Sequence, residues 1–289
     1  MIWEVVNQLD GANVGWQRLA GTLAPPLHAS FVTPQCHSSL VTFARFRYAA
    51  RVLWKKTWQP EIVMALIGGL VLAFFSASLL AELLRHFDVV GFRKSGDAGS
   101  VLLVTLSFHG AAIVMAVLFL KLHDIRWRDA LGWQDAQLKK HLLITGILLL
   151  AVTPVMIDLK IASEILLEKI GRPVADQLAV EMFSNAKSLG LRVYLGIFAV
   201  IIAPVAEEFV FRGLIFSGLK KLGWPKCGWF VASLLFAAIH GSAPVFLPLF
   251  VFALALTWLY ERTEGLLAPM LAHGLFNAAN LIILLSQTE

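Results

Sequence analysis

LRVYLGIFAVIIAPVAEEFVFR, residues 191–212, decides the fold. After Leu191 its apolar run carries one charge, Arg192, until Glu207, Glu208 and Arg212 arrive within six positions. A charged side chain at membrane depth costs about 2.5–3.5 kcal/mol on insertion scales, so three together imply partners and a function. On a helix turning 100° per residue, Glu208 and Arg212 are i and i+4 and lie within about 40° of each other, close enough to pair. Glu207 points about 140° away from Arg212 and has no local partner. A carboxylate left alone in an apolar segment suits a general base. The bland alternative is that both glutamates mark the end of a span at the interface.

The composition supports a membrane reading. The 289 residues are 58% hydrophobic and 15% charged, against about 25% charged in soluble domains. Mean hydropathy is +0.75. The expected fold is all-α: a polytopic helical membrane protein with about seven (six to eight) transmembrane helices. The spans expected are 62–84, 101–122, 142–159 kinked near Pro154, 191–208 with a helical continuation to 222, 227–240, 245–260 and 266–285. Asp158, Glu164, Glu168, Asp176 and Glu181 make 159–190 an amphipathic excursion. Three parts follow: a cytoplasmic N-terminal region (1–60), transmembrane helices with the excursion (61–190) and a helical core (191–289).

The net charge of +5 is scattered between apolar spans, which speaks against a nucleic-acid partner. Arg45, Arg47, Arg51, Lys55 and Lys56 flank the first span, with an aromatic and basic stretch over 40–58 that reads either as an interfacial helix or as a topological flank. Lys121, Arg126, Arg128, Lys139 and Lys140 follow the second span; Arg212, Lys220, Lys221 and Lys226 follow the fourth. This alternation places the N-terminus in the cytoplasm; the expected location is a plasma (inner) membrane. The opening MIWEVVNQLDG lacks the order of a signal peptide. Cys36 and Cys227 are too few and too far apart for a disulfide scaffold or a CxxC site.

Two further polar groups interrupt apolar segments. His240 ends FAAIH (236–240), one turn after Phe236, whose ring would wall a site. His273 and Asn277 in HGLFN (273–277) are i and i+4, with Asn280 on the same face. A polar stripe on an apolar helix faces the protein interior, as interhelical hydrogen bonding or as a site. Imidazole and carboxamide N–H groups are competent oxyanion donors. His109 and Ser107, in the second span, have no constellation and read as structural. Pro204 should bend the fourth span and expose a carbonyl.

EExxxR, FxxxH and HxxxN in this order resemble the CPBP family of intramembrane proteases, which takes in the type II CAAX prenyl endopeptidase (Ras-converting enzyme) and Abi or bacteriocin-immunity relatives. The resemblance covers 191–285. It implies Glu207 as catalytic glutamate, His240 as its partner in activating water, His273 and Asn277 as oxyanion donors, and Glu208 with Arg212 as the supporting pair. The implied activity is endopeptidase cleavage of a membrane-anchored protein or peptide at the lipid bilayer. No cofactor is the favoured reading, since HExxH is absent and Asn277 is a better donor than ligand. Zinc on Glu207, His240 and His273 is the alternative. A non-catalytic immunity or chaperone-like membrane protein, or a proton-coupled transporter, would also use intramembrane Glu and His.

Overall fold

The computed structural model describes residues 60–93, 97–133, 137–172, 178–186 and 188–286, and every regular element among them is helical. The basic stretch expected over 40–58, most of the N-terminal region and Asp176 lie outside the described residues. In chain order the helices are α1 (Pro60–His86), α2 (98–122), the single turn α3 (Trp127–Ala130), α4 (Leu138–Lys169), α5 (Leu178–Asn185), α6 (Leu189–Lys221), α7 (Pro225–Ile239), α8 (Ala243–Thr263) and α9 (Leu267–Ser286).

The apolar runs become spans. The helices α1, α4, α6, α8 and α9 are long and apolar enough to cross a membrane. Leu106–Leu122 within α2 and α7 are apolar but shorter. Large side chains such as Met64, Leu72, Leu150, Phe230 and Ile282 stand exposed on their outer faces, where lipid rather than water is the solvent. This is a polytopic helical membrane protein.

Local chemistry sets the ends. The Ser188 hydroxyl accepts from the Leu191 N–H and caps α6. Pro225 and Pro244 open α7 and α8, where a missing N–H costs nothing. Gly241, at φ 64°, ends α7 in the left-handed region and leaves His240 on the final turn.

Two expectations need correction. The helix that carries the third span runs on to Lys169 rather than ending at 159, with Pro154 inside it. At 32 residues it outruns the roughly 20 needed to span a bilayer. Its charged end is held as helix by pairs such as Lys160–Glu164 at 3.0 Å. Arg212 is not part of a basic flank, because it is fully buried.

Helix α6 lies at the centre. It packs on α2, α7 and α9, while α8 lies along both α4 and α7. One core cluster joins Ala206, Val210 and Phe211 of α6 to Phe236 and Ala237 of α7 and to Leu249 and Ala253 of α8. At one end Glu261 of α8 pairs with Lys220 of α6 and accepts from the Trp229 indole N–H of α7 at 2.9 Å, tying three helices together.

Three stretches are π-helical: Leu106–Gly110 in α2, and Phe198–Ile202 and Phe209–Phe216 in α6. Such insertions re-aim side chains and free backbone groups, and they concentrate at functional sites.

Candidate active site

The site is built around adjacent glutamates on α6. Glu208 is fully buried; its Oε1 accepts from Arg212 Nη1 at 2.9 Å and from His273 Nδ1 at 3.0 Å. The i, i+4 pair expected from spacing is formed. Arg212 also donates from Nη2 to the Ala253 carbonyl at 3.0 Å and stacks over Phe236 at 4.9 Å. Its planar fork thereby joins α6, α7 and α8. Glu208 Oε2 and Arg212 Nε have no hydrogen-bond partner among the described residues.

Glu207 is 7% exposed. It is not the isolated carboxylate its spacing suggests. His109 of α2, set in the π segment Leu106–Gly110, brings Nε2 to 3.1 Å from Glu207 Oε1. Glu207 Oε2 has no hydrogen-bond partner among the described residues; His273 Nε2 stands 3.9 Å from it, beyond hydrogen-bonding range.

The hydrogen positions follow from the acceptors. A carbonyl can only accept, so His109 Nδ1, 3.0 Å from the Thr105 carbonyl, carries a hydrogen. The contact of its Nε2 with Glu207 then holds one shared hydrogen, as imidazolium on carboxylate or imidazole on carboxylic acid. His240 Nδ1 donates to the Phe236 carbonyl at 2.7 Å, which makes Nε2 the acceptor in its neutral ring. His273 Nδ1 donates to Glu208. Each of the three rings is thus held by Nδ1 and keeps Nε2 for other work. Two carboxylates and one guanidinium sum to one negative charge. A single extra proton on the imidazoles neutralises the cluster, which burial favours because an uncompensated charge costs several kcal/mol.

Phe236 walls this group, as its spacing implies. Its ring lies 4.9 Å from His240 and 5.5 Å from His273, and it is fully buried.

Helix α9 is seated on α6 through the first π segment of that helix. The Ala203 N–H bonds back to Phe198 O, five residues earlier. Pro204 has no N–H to offer the next carbonyl. Ala199 O therefore accepts from Asn277 Nδ2, at 2.8 Å. Pro204 does expose a carbonyl, and Asn277 is what fills it. One hydrogen of the Asn277 amide is used this way and the second is left. Gly274 packs so closely that a Cβ there would sit 2.6 Å from Val200 O. Asn280 departs from the expected stripe: it is exposed and donates to Phe276 O of its own helix at 3.1 Å.

The structure therefore brings Glu207, Glu208, Arg212 and His273 into direct or near contact, places His240 against the shared Phe236 ring, and sets Asn277 one turn from His273. His109 joins them from a helix the motifs do not include. Its only sequence signal is a histidine inside an apolar span.

Zinc requires three or more donors closed around one point. Among the described residues no group of three or more His, Cys, Asp or Glu is so placed. One oxygen of Glu207 is already engaged by His109 Nε2 at 3.1 Å, and His273 Nδ1 by Glu208 at 3.0 Å.

Residues 189–279 match the family model described as type II CAAX prenyl endopeptidase Rce1-like. No curated protein and no solved structure matches the chain. The matched segment contains Glu207, Glu208, Arg212, His240, His273 and Asn277; His109 lies outside it.

Proposed function

With residues 189–279 an Rce1-like domain, we propose that this integral membrane protein is a CAAX-type intramembrane endopeptidase whose substrate is a membrane-anchored protein or peptide. The observation that carries the reading is Glu207: buried, with Oε1 engaged by His109 and Oε2 left for a proton.

A water hydrogen-bonded to Glu207 Oε2 and His240 Nε2 meets two acceptors, which leaves its oxygen lone pair directed at a peptide carbonyl. As that oxygen bonds to the carbonyl carbon, one water proton passes to Oε2 and the carbonyl oxygen becomes an oxyanion. Asn277 Nδ2 donates to that oxygen through its second hydrogen, and so does His273 Nε2 once a second proton, beyond the one that His109 and Glu207 share, makes it the imidazolium that Glu208 supports; the charge of the oxyanion offsets that second proton. Removing one such donor typically costs about 100- to 1000-fold in rate. When the tetrahedral intermediate collapses, the C–N bond breaks, the proton on Oε2 moves to the leaving nitrogen, and Glu207 returns to its starting state. Glu208 and Arg212 act on no reacting atom; they fix His273.

The test compares protein termini in membranes from cells carrying wild-type protein or Glu207→Gln at matched abundance. Termini that appear only with wild type identify proteolysis, its substrate and its dependence on Glu207. Identical termini in both, under conditions where the protein is needed, would transfer the constellation to a non-catalytic or transport role.

A further inference from the structure

We propose that His109, outside the family-matched segment, is a positioning residue for Glu207, holding Oε1 through a shared hydrogen so that Oε2 is the oxygen that takes the proton from water. This rests on the endopeptidase reading above and extends it to a helix that reading does not otherwise use.

The need arises from the carboxylate itself. The last torsion of a glutamate is soft and roughly two-fold, so its oxygens exchange unless a partner fixes one. Glu208 has such partners in Arg212 and His273. Within hydrogen-bonding distance Glu207 has His109, while His273 stands at 3.9 Å.

His109 is itself held on several sides. Nδ1 donates to Thr105 O, four residues earlier on α2. The ring meets Phe198 of α6 edge to face, centroids 4.8 Å apart, and Phe108 at 5.0 Å. Its side chain is 14% exposed. The π segment Leu106–Gly110 sets the angle at which it leaves α2, and Phe198 begins the π segment that Asn277 caps. A ring clamped by a carbonyl and two aromatics, with its remaining nitrogen on the general base, has the arrangement of an orienting group. A packing histidine would not require Nε2 to face a buried carboxylate 98 residues away.

The opposing explanation is that His109 only fills space against Phe198. His109→Phe separates the two, since it keeps a ring and removes both nitrogens. His109→Gln keeps an N–H donor and removes the ring. The probe is an internally quenched peptide spanning a terminus that wild type generates and Glu207→Gln does not. Steady-state rates of wild type, Glu207→Gln and both His109 variants are measured in detergent, with thermal melting of each.

We expect kcat of His109→Phe to fall on the order of 100-fold, as for a misplacement of about 1 Å at a reacting group, with KM unchanged because His109 does not touch substrate. His109→Gln should retain at least tenfold more activity than His109→Phe. A His109→Phe kcat within twofold of wild type, or equal losses in Phe and Gln, overturns the proposal and leaves a packing role. Should His109→Phe be recovered unfolded, His109→Leu takes its place under the same criteria. If wild type generates no terminus that Glu207→Gln lacks, the endopeptidase reading itself fails, and the proposal falls with it. If that terminus exists and only the His109 criteria fail, the endopeptidase reading stands.

Discussion

Replacing Gly274 by alanine tests how the site is assembled without touching a reacting group. The added Cβ would lie 2.6 Å from the Val200 carbonyl oxygen, about 0.8 Å short of the 3.4 Å at which ordinary contact begins. The obstacle is backbone and cannot rotate away. Either α9 withdraws or the π segment Phe198–Ile202 shifts. The neighbouring contacts have little slack: Asn277 Nδ2 to Ala199 O is 2.8 Å, and His273 Nδ1 to Glu208 Oε1 is 3.0 Å. A displacement of about 0.5 Å or more takes both to the edge of hydrogen-bonding range. Overpacking of this kind costs about 1–3 kcal/mol of stability. Misplacement of oxyanion donors by part of an ångström should lower kcat about 10- to 100-fold. The assay is the initial rate on the quenched peptide, with thermal melting in detergent. Gly146→Ala is the control, because a Cβ there meets nothing within 4 Å and alanine favours helix by up to about 1 kcal/mol. Wild-type kcat and melting for Gly274→Ala would refute the close seating of α9 on α6 and the role given to it.

Two further outcomes are expected. Asn277→Ala should lower kcat about 100- to 1000-fold through loss of an oxyanion donor; it should also cost about 1–3 kcal/mol of stability, because Ala199 O loses its donor. A wild-type rate would show that Asn277 serves only as a helix clamp. Arg212→Met should destabilise the fold by about 3–5 kcal/mol, since it leaves the fully buried Glu208 without its countercharge. Adding Glu208→Gln should recover a large part of that loss, and a double-mutant cycle read by melting checks it: additive effects would mean that the pair is not coupled.

What was legible in the sequence is what helical spacing encodes. Glu208 with Arg212 and His273 with Asn277 are i, i+4 pairs, and each puts its members on one face before any tertiary contact is known. The long apolar runs marked the apolar helices, five of them long enough to cross a membrane and two shorter, against the seven spans expected. His109 was not legible in this sense, because its partner is 98 residues away and nothing near it on α2 hints at a carboxylate. The π segments were hidden too. LSFHG and FAVII read as ordinary apolar helix, and the extra residue per turn is a response to what packs against them. The full length of α4 was not legible because Asp158, Glu164 and Glu168 interrupt the apolar run, although the helix continues through them to Lys169. Asn280 shares a face with His273 but is exposed and bonds to its own helix.

Contacts between residues far apart in the chain decide which parts of it make the site. The matched segment supplies the carboxylates, the guanidinium, two imidazoles and the carboxamide. It does not supply all that positions them. Glu207 is held by a ring from α2, and α9 and α8, which carry His273 and the Ala253 carbonyl, pack on α4. All three π segments bear on the same few atoms: one carries His109, one leaves Ala199 O to Asn277, and one carries Arg212, whose carbonyl is bonded by the Ser217 hydroxyl at 2.7 Å. A π segment gives up regular hydrogen bonding, so it persists where packing and side-chain partners offset the loss. Here the partners come from both sides of residue 189. On the proposed reading, the chain before the matched segment therefore takes part in the chemistry, because His109 of α2 holds one oxygen of Glu207 and leaves the other for the proton.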